Sequence, residues 1–316
     1  IDGTTAVIGG VEHTVGESLL AGAAFVYERS GQQWVSMGAL VASDYDNGDR
    51  FGSDVAISGD TIVVGAHYDS GTGGATALGS AYVFKRTGST WTQEAKLVPS
   101  DVTNISILFG ESVAISGDTI VVGAPNHGGL SDNFGAVYVY TRTGTTWTEQ
   151  AIITPSTYTS ANFGSEVAVE GDTLVSGLVK DSSLQGAVLV WTRSGTRWTQ
   201  EAEITASDGA TGDRFGLLGV DISSDTIIAG SYSDDDGGSE TGSAYIFTRS
   251  GTTWTEEDKL VASDPGAGDF FSYTAVAVSG DTAVVGAYEN DDDGEESGSA
   301  YIFTRTGTTW TQISKL

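Results

Sequence analysis

Phe109 to Pro125 reads FGESVAISGDTIVVGAP, and the same words return along the whole chain at a nearly fixed interval. Ser112 to Ser116 alternates polar and apolar residues, Ile120 to Val122 is apolar on both faces, and Gly-Asp-Thr stands between them. Two short strands joined by a tight turn is the plain reading. A second pair follows: Gly135 to Tyr140, a turn over Thr141 to Gly144, then Thr146 to Ile152. Each unit therefore holds four strands, here called a to d. The tryptophans that open strand d, Trp34, Trp91, Trp147, Trp198, Trp254 and Trp310, measure the period at 57, 56, 51, 56 and 56 residues. Four strands per unit without a helical pattern predict an all-β fold, a β-propeller of four-stranded blades. A β-solenoid is the rival, but its repeats are shorter.

Six repeats are visible, over residues 1–42, 43–98, 99–154, 155–205, 206–261 and 262–316, and they are expected to form a single domain over 1–316. The first repeat lacks its innermost strand, so 23 strands are expected where six whole blades need 24; seven blades would follow if flanking sequence is missing. The start at Ile1, in mid-repeat and without Met, leads us to expect an excised piece. Strand b is apolar on both faces, as for a strand between two neighbouring sheets. Strand d is polar, as for an exposed edge. Strand a carries Ala56, Ala114 and Ala168, which suit a crowded axis, so the order from centre to rim should run a, b, c, d.

The chain carries 44 Gly, 4 Pro and no Cys, which fits many tight turns and leaves no disulfide, thiolate metal site or thiol nucleophile. Against 42 Asp and Glu stand 14 Lys and Arg, a formal net charge of −28. Nucleic acid is excluded as a partner on this balance, because no Lys/Arg cluster offsets the repulsion of a polyanion. No apolar run reaches the length of a membrane span.

Phe51-Gly52, Phe109-Gly110, Phe163-Gly164 and Phe215-Gly216, each followed by a strand and then by Gly65-Ala66 or Gly123-Ala124-Pro125, resemble FG-GAP repeats, those of the integrin α-subunit head. The resemblance covers essentially the whole chain. It implies an extracellular or cell-surface β-propeller, often seven-bladed, used for adhesion or for binding a protein or glycan ligand. One departure stands out. Integrin-like repeats join strands a and b by a D-x-D-x-D-G calcium loop, whereas here that loop has shrunk to Ser58-Gly59-Asp60-Thr61 and its copies. Four residues do not wrap a cation that takes six to eight oxygens, so these Asp residues read as hairpin turns.

Alternation of strand direction collects the b–c and d–a loops, rich in Asp and Glu, on one face and the hairpin arginines Arg86, Arg142, Arg193, Arg249 and Arg305 on the other. The sharpest metal candidate is Glu289 to Glu295, with Asp291, Asp293 and Glu295 as calcium ligands; Asp234 and Asp236 form a weaker copy. The alternative is a solvated acidic loop. Asp44/Asp49, Asp208/Asp213 and Asp264/Asp269 recur five residues apart before the Phe-Gly position, and loop-capping through backbone N–H groups is the favoured reading. Asp101 has no such partner, and Thr154 to Asn162 contains no acid. His13, His67 and His127 sit at differing offsets in the b–c loops and read as surface residues. Asn104-Ile105-Ser106 is a lone glycosylation sequon. The repeated aromatic residues read as packing between blades.

No nucleophile elbow, zinc-type His spacing or phosphate loop is present, and no catalytic residue or further cofactor is assigned. The expected function is therefore non-catalytic: adhesion or ligand binding, assisted by calcium. The alternatives are a self-associating building block of a surface layer, sheath or filament and, third, a polysaccharide-processing enzyme built on paired carboxylates.

Overall fold

The computed structural model describes residues 1–70, 78–101, 106–128, 134–156, 161–179, 183–291, 294 and 297–316. Asn104, Asp293 and Glu295 lie outside them. The described residues form 23 strands in six antiparallel sheets. The first sheet holds β1 (Thr5–Gly10), β2 (Ala23–Ser30) and β3 (Gln33–Leu40), and the second β4 (Val55–Ser58), β5 (Thr61–Ala66), β6 (Ser80–Thr87) and β7 (Thr90–Leu97). The third holds β8 (Val113–Ser116), β9 (Thr119–Ala124), β10 (Ala136–Thr143) and β11 (Thr146–Ile153). The fourth comprises β12 (Val167–Glu170), β13 (Thr173–Leu178), β14 (Ala187–Ser194) and β15 (Arg197–Ile204). β16 (Val220–Ser223), β17 (Thr226–Ser231), β18 (Ser243–Ser250) and β19 (Thr253–Leu260) make the fifth. The sixth has β20 (Phe271–Ser279), β21 (Thr282–Ala287), β22 (Ser299–Thr306) and β23 (Thr309–Lys315). Strands within each sheet pair in chain order, as the a-to-d reading requires. The six sheets are the blades of a β-propeller, and the first has three strands.

The chain divides into two compact units, Ile1–Val167 and Ala168–Leu316. In the first unit, Val26 and Leu40 of the first sheet pack on Phe51, Ile62, Val64 and Tyr82 of the second. Val63, Val83 and Leu97 of the second sheet pack in turn on Phe109, Ile120, Val122 and Tyr138. The second unit repeats this: Val175 and Val188 meet Phe215, Ile227 and Tyr245, while Ile228 and Ile246 meet Phe271, Val285 and Tyr301. The two faces of strand b thus serve two different neighbours. That is why β5, β9, β13 and β17 are buried at every position.

Sheet-to-sheet contact is also made by the backbone. In the first unit the residue before each Phe, Arg50, Leu108 or Asn162, takes a positive φ, which turns the Phe-Gly peptide back onto the preceding sheet. The N–H groups of Phe51, Phe109 and Phe163 then donate to the carbonyls of Ala21, Leu78 and Phe134 at 2.9, 3.0 and 3.2 Å. Each turn seats against two glycines of that sheet. A Cβ on Gly135 would lie 2.0 Å from the Phe163 carbonyl oxygen, and one on Gly123 2.0 Å from that of Gly164. The second unit does the same with Gly177 and Gly186 around Phe215-Gly216, and with Gly230 and Gly242 around Phe271-Ser272.

Strand d carries a β-bulge in every sheet. The pairing slips between Val83 and Phe84 in the second sheet and at the equivalent step in the other five. In the second sheet the extra residue is Glu94, whose carboxylate accepts the indole N–H of Trp147, on the next sheet, at 3.0 Å. Glu201 with Trp254 and Glu257 with Trp310 repeat the contact in the second unit, both at 3.0 Å. A bulge re-aims a side chain that plain alternation would leave along its own strand.

Gly135 has φ +76° and no room for a methyl group, whereas Gly144, in the neighbouring hairpin at φ +65°, has nothing within 4 Å of a built Cβ. Gly144→Ala should therefore cost only backbone strain, about 1 to 2 kcal/mol. Gly135→Ala should cost at least about 3 kcal/mol, because a carbonyl of the next turn must also move. Urea unfolding of the two variants measures the difference.

Candidate functional site

The acidic residues singled out in the sequence are held by a buried tyrosine. Tyr82, Tyr138, Tyr245 and Tyr301 occupy one position of strand c, are fully buried, and pack edge-on against the Phe that leads their own blade, with ring centroids 5.1 to 5.6 Å apart. Their hydroxyls meet Asp44, Asp101, Asp208 and Asp264 at 2.9, 2.7, 2.8 and 3.0 Å. Asp101, which seemed to stand alone, therefore belongs to the set.

A second carboxylate and a strand-d lysine complete two of these clusters. Lys96 lies 2.7 Å from Asp44 and 2.6 Å from Asp69, and Tyr82 donates to Asp69 at 2.6 Å. Lys259 lies 2.8, 2.9 and 2.8 Å from Asp208, Asp234 and Asp236, and Tyr245 donates to Asp234 at 2.7 Å. Where the second acid is replaced by His127, the lysine position holds Ile152, and His127 itself contacts Asp101 at 3.0 Å. In the fourth blade the tyrosine position is Leu189, and there the preceding loop has no acid. Tyrosine and aspartate are thus present together or absent together across the last five repeats.

Electrostatics follow from this packing. Burial, reinforced by the neighbouring carboxylates, drives the hydroxyls of Tyr82, Tyr138 and Tyr245 far above the usual phenol range and that of Tyr301 to about 12. Burial opposes ionisation of Asp208 and Asp234, yet hydrogen bonds from Lys259 and Tyr245 hold both below the ordinary carboxylate value. These acids are ionised structural acceptors.

The partners Asp49, Asp213 and Asp269 cap their own loops. Each accepts the backbone N–H three residues back, from Asp46, Ala210 and Gly266, at 2.6, 2.6 and 2.8 Å. Loop-capping was the expectation. Of the proposed calcium ligands, Asp234 and Asp236 converge on the Lys259 ammonium, and Asp291 is exposed, its carbonyl accepting the Gly294 N–H at 3.1 Å. No group of three or more metal-ligating side chains occurs among the described residues.

Of the three histidines, His13 is exposed, as the surface reading has it, His127 is half-buried, and His67 departs from that reading. His67 is buried, and desolvation, with Arg50 nearby, lowers it to about 4. His13 packs edge-on against Phe25 at 5.3 Å. On the hairpin side four of the five arginines are tied to the a–b turn of their own blade, Arg142 to Asp118, Arg193 to Asp172, Arg249 to Asp225 and Arg305 to Asp281, all at 2.7 Å, while Arg86 pairs with Glu28 of the preceding sheet at 2.9 Å. Each of those four guanidiniums also lies over the tryptophan of its own strand d at 5.1 to 5.3 Å. Gly59, Gly117, Gly171 and Gly280 supply the positive φ that the shortened a–b turns need.

The FG-GAP repeat family model matches residues 34–84, 91–140, 198–247 and 254–303, more than half of the sequence. The chain belongs to the FG-GAP repeat family. The unmatched interval between the second and third segments contains Leu189 and the acid-free loop, where the tyrosine–aspartate pair is lost. The fold is also similar to the crystal structure of a protein from Lactobacillus plantarum, at 11% identity and a TM-score of 0.62, covering 99% of this chain and 82% of that one. In all, 418 solved chains match, a breadth at which fold does not select a function. No curated protein matches the sequence. Among the described residues no helix is long and apolar enough to cross a membrane.

Two outcomes follow. Lys259→Met leaves three carboxylates without their cation and should cost about 2 kcal/mol, against about 1 kcal/mol for Tyr245→Phe; chemical denaturation ranks them. The second concerns pH. Burial raises Asp49, Asp54 and Asp221 to about 6. Between their ordinary value and about 6 the folded chain therefore holds more protons than the unfolded one, so stability should rise as pH falls from 7 to about 5. Below about 4 it should fall, as Asp101, Asp208 and Asp234, all held low, are protonated. Urea midpoints from pH 3 to 8 trace the curve.

Proposed function

We propose that this chain is a non-catalytic, extracellular binding module, used for adhesion, whose contact surface is the acidic face of b–c and d–a loops. The observation that carries this reading is the fate of the cations. Lys96, Lys259, Arg142, Arg193, Arg249 and Arg305 are each bound to acids of the repeat itself, in a chain of formal net charge −28. Uncompensated negative charge is therefore left on the loops. Such a field attracts a cationic protein surface, or a glycan bridged by calcium at the loop from Glu289 to Glu295. Among the paired acids, Asp208 and Asp264 each bind a tyrosine and a lysine, while Asp213 and Asp269 cap loops, which supports a structural part for these two pairs.

The test is retention of the intact chain on immobilised polylysine, heparin and a glycan panel, in millimolar calcium and in chelator, over a salt series. Retention on polylysine that weakens steeply with salt, or on a glycan only with calcium, is expected. Equal retention on heparin, or release of sugar from a polysaccharide, would sink the reading.

A further inference from the structure

Two of the five residues that precede a leading Phe at positive φ are arginines, Arg50 and Arg214. Arg86, Arg142, Arg193, Arg249 and Arg305 are each bonded to a carboxylate, and these two are not. Arg214 is half-buried; its guanidinium lies over the Tyr232 ring at 5.5 Å and donates to the Tyr232 hydroxyl at 2.9 Å. Among the described residues its remaining side-chain donors have no acceptor, and no carboxylate lies within 4.0 Å of it. Arg50 lies over Tyr68 at 5.0 Å, also without an ion pair among the described residues. With 42 acids in the chain against 14 Lys and Arg, a guanidinium left without an acid is a property of its position and not of composition.

Aromatic rings accompany Arg214, all within the second unit. Tyr273 meets Tyr232 edge-on at 4.8 Å, and Phe270 lies 6.4 Å from Tyr232 and 6.3 Å from Tyr273. Tyr232 is buried, whereas Phe270 and Tyr273 are half-buried. Phe270 owes its place to the left-handed turn before Phe271, and the Tyr273 N–H donates to the Phe270 carbonyl at 3.0 Å, which fixes the two together. For Arg50 the corresponding positions of the next sheet hold Leu108 and Glu111, and the Arg50 charge already opposes the burial that raises Glu111. Only Arg214 combines a guanidinium without an acid and a set of rings.

On the reading of this chain as a binding module, we propose that Arg214, Tyr232, Phe270 and Tyr273 form a subsite for a glycan that carries a single uronate on an otherwise neutral chain. The ring of Tyr232 and its hydroxyl seat the guanidinium, and a carboxylate receives two parallel N–H bonds from its free edge. A pyranose presents a face of C–H bonds, which rests on the electron-rich face of Phe270 or Tyr273. A net charge of −28 repels a ligand with repeated negative charges, so a lone carboxylate, matched one to one by Arg214, is the anion that fits. An acidic peptide offers the same carboxylate without the flat apolar face, and the rings therefore favour the sugar.

The probes are a xylo-oligosaccharide bearing one glucuronate and the same oligosaccharide with that carboxyl reduced to the alcohol, titrated into the full chain by calorimetry in chelator at low salt. Binding about tenfold tighter for the acid is expected in the unaltered chain and in Arg50→Met, with no difference between the two sugars in Arg214→Met. Tyr273→Ala should weaken both sugars alike. Each variant is first shown to melt cooperatively, and the comparison of the two sugars on the unaltered chain stands without them. No saturable binding, a preference for the acid that survives Arg214→Met, or affinities untouched by Tyr273→Ala overturns the proposal. A capped tripeptide with one Asp that binds as tightly assigns the site to protein carboxylates and overturns it as well. Retention on polylysine without any preference for the acid sugar sinks this subsite and leaves the binding module standing.

Discussion

Successive sheets of each unit are locked together by the seating of a leading Phe peptide against the bare backbone of two glycines on the sheet before. One short segment performs several tasks. The peptide N–H bonds backward to the preceding sheet, the phenyl ring goes forward into its own blade against tyrosine, and the strand that follows becomes the innermost strand. A left-handed residue in front of the Phe makes this reversal possible, although non-glycine residues reach that conformation only at a cost. The many contacts around the turn hold it there. In the last such step Ser272 replaces glycine at φ +77°, and its hydroxyl donates to the Ser243 carbonyl at 2.7 Å, so a side-chain bond offsets backbone strain.

The tyrosine cluster is the polar complement of this lock. Behind four of the five leading Phe rings lies a tyrosine whose hydroxyl must leave water, and an ionised acid of the d–a loop receives it. The loop that carries the Phe is thereby fixed at both ends, by the glycine cradle and by its own aspartate. Loss of both partners in the fourth blade fits this account. A lone buried acid or a lone buried hydroxyl would each be expensive, and Leu189 with an acid-free loop avoids both. The acidity of the sequence thus has two sources, acids that hold the scaffold and acids that face solvent from the loops.

Repetition also shows which positions were released from the scaffold. His67, Tyr232 and Tyr288 share one position after the strand-b glycine, and Arg50, Leu108, Asn162, Arg214 and Phe270 share another before the leading Phe. Both lie beside conserved backbone geometry, yet their chemistry changes from blade to blade. In the second unit they bring Tyr232, Phe270, Tyr273 and Tyr288 into one aromatic group, with centroids 4.8 to 6.4 Å apart. A rigid framework carrying variable loops is the arrangement by which one fold serves many ligands.

Much was determined by sequence alone. The alternation of Ser112 to Ser116, the two-faced apolar run Ile120 to Val122 and the spacing of the tryptophans specify sheets, their strand order and the missing first strand, because these depend on periods of two residues and of one repeat. Loop-capping by Asp49, Asp213 and Asp269 was also legible, since an acid three residues after an N–H is a local arrangement. Only tertiary structure decided the rest. The union of Tyr245 with Asp208 and Lys259 joins residues tens of positions apart. The outward turn of Glu94 depends on a bulge that leaves no mark in the residue pattern. The buried state of His67 follows from which neighbour covers a face, and no periodicity within the repeat encodes that.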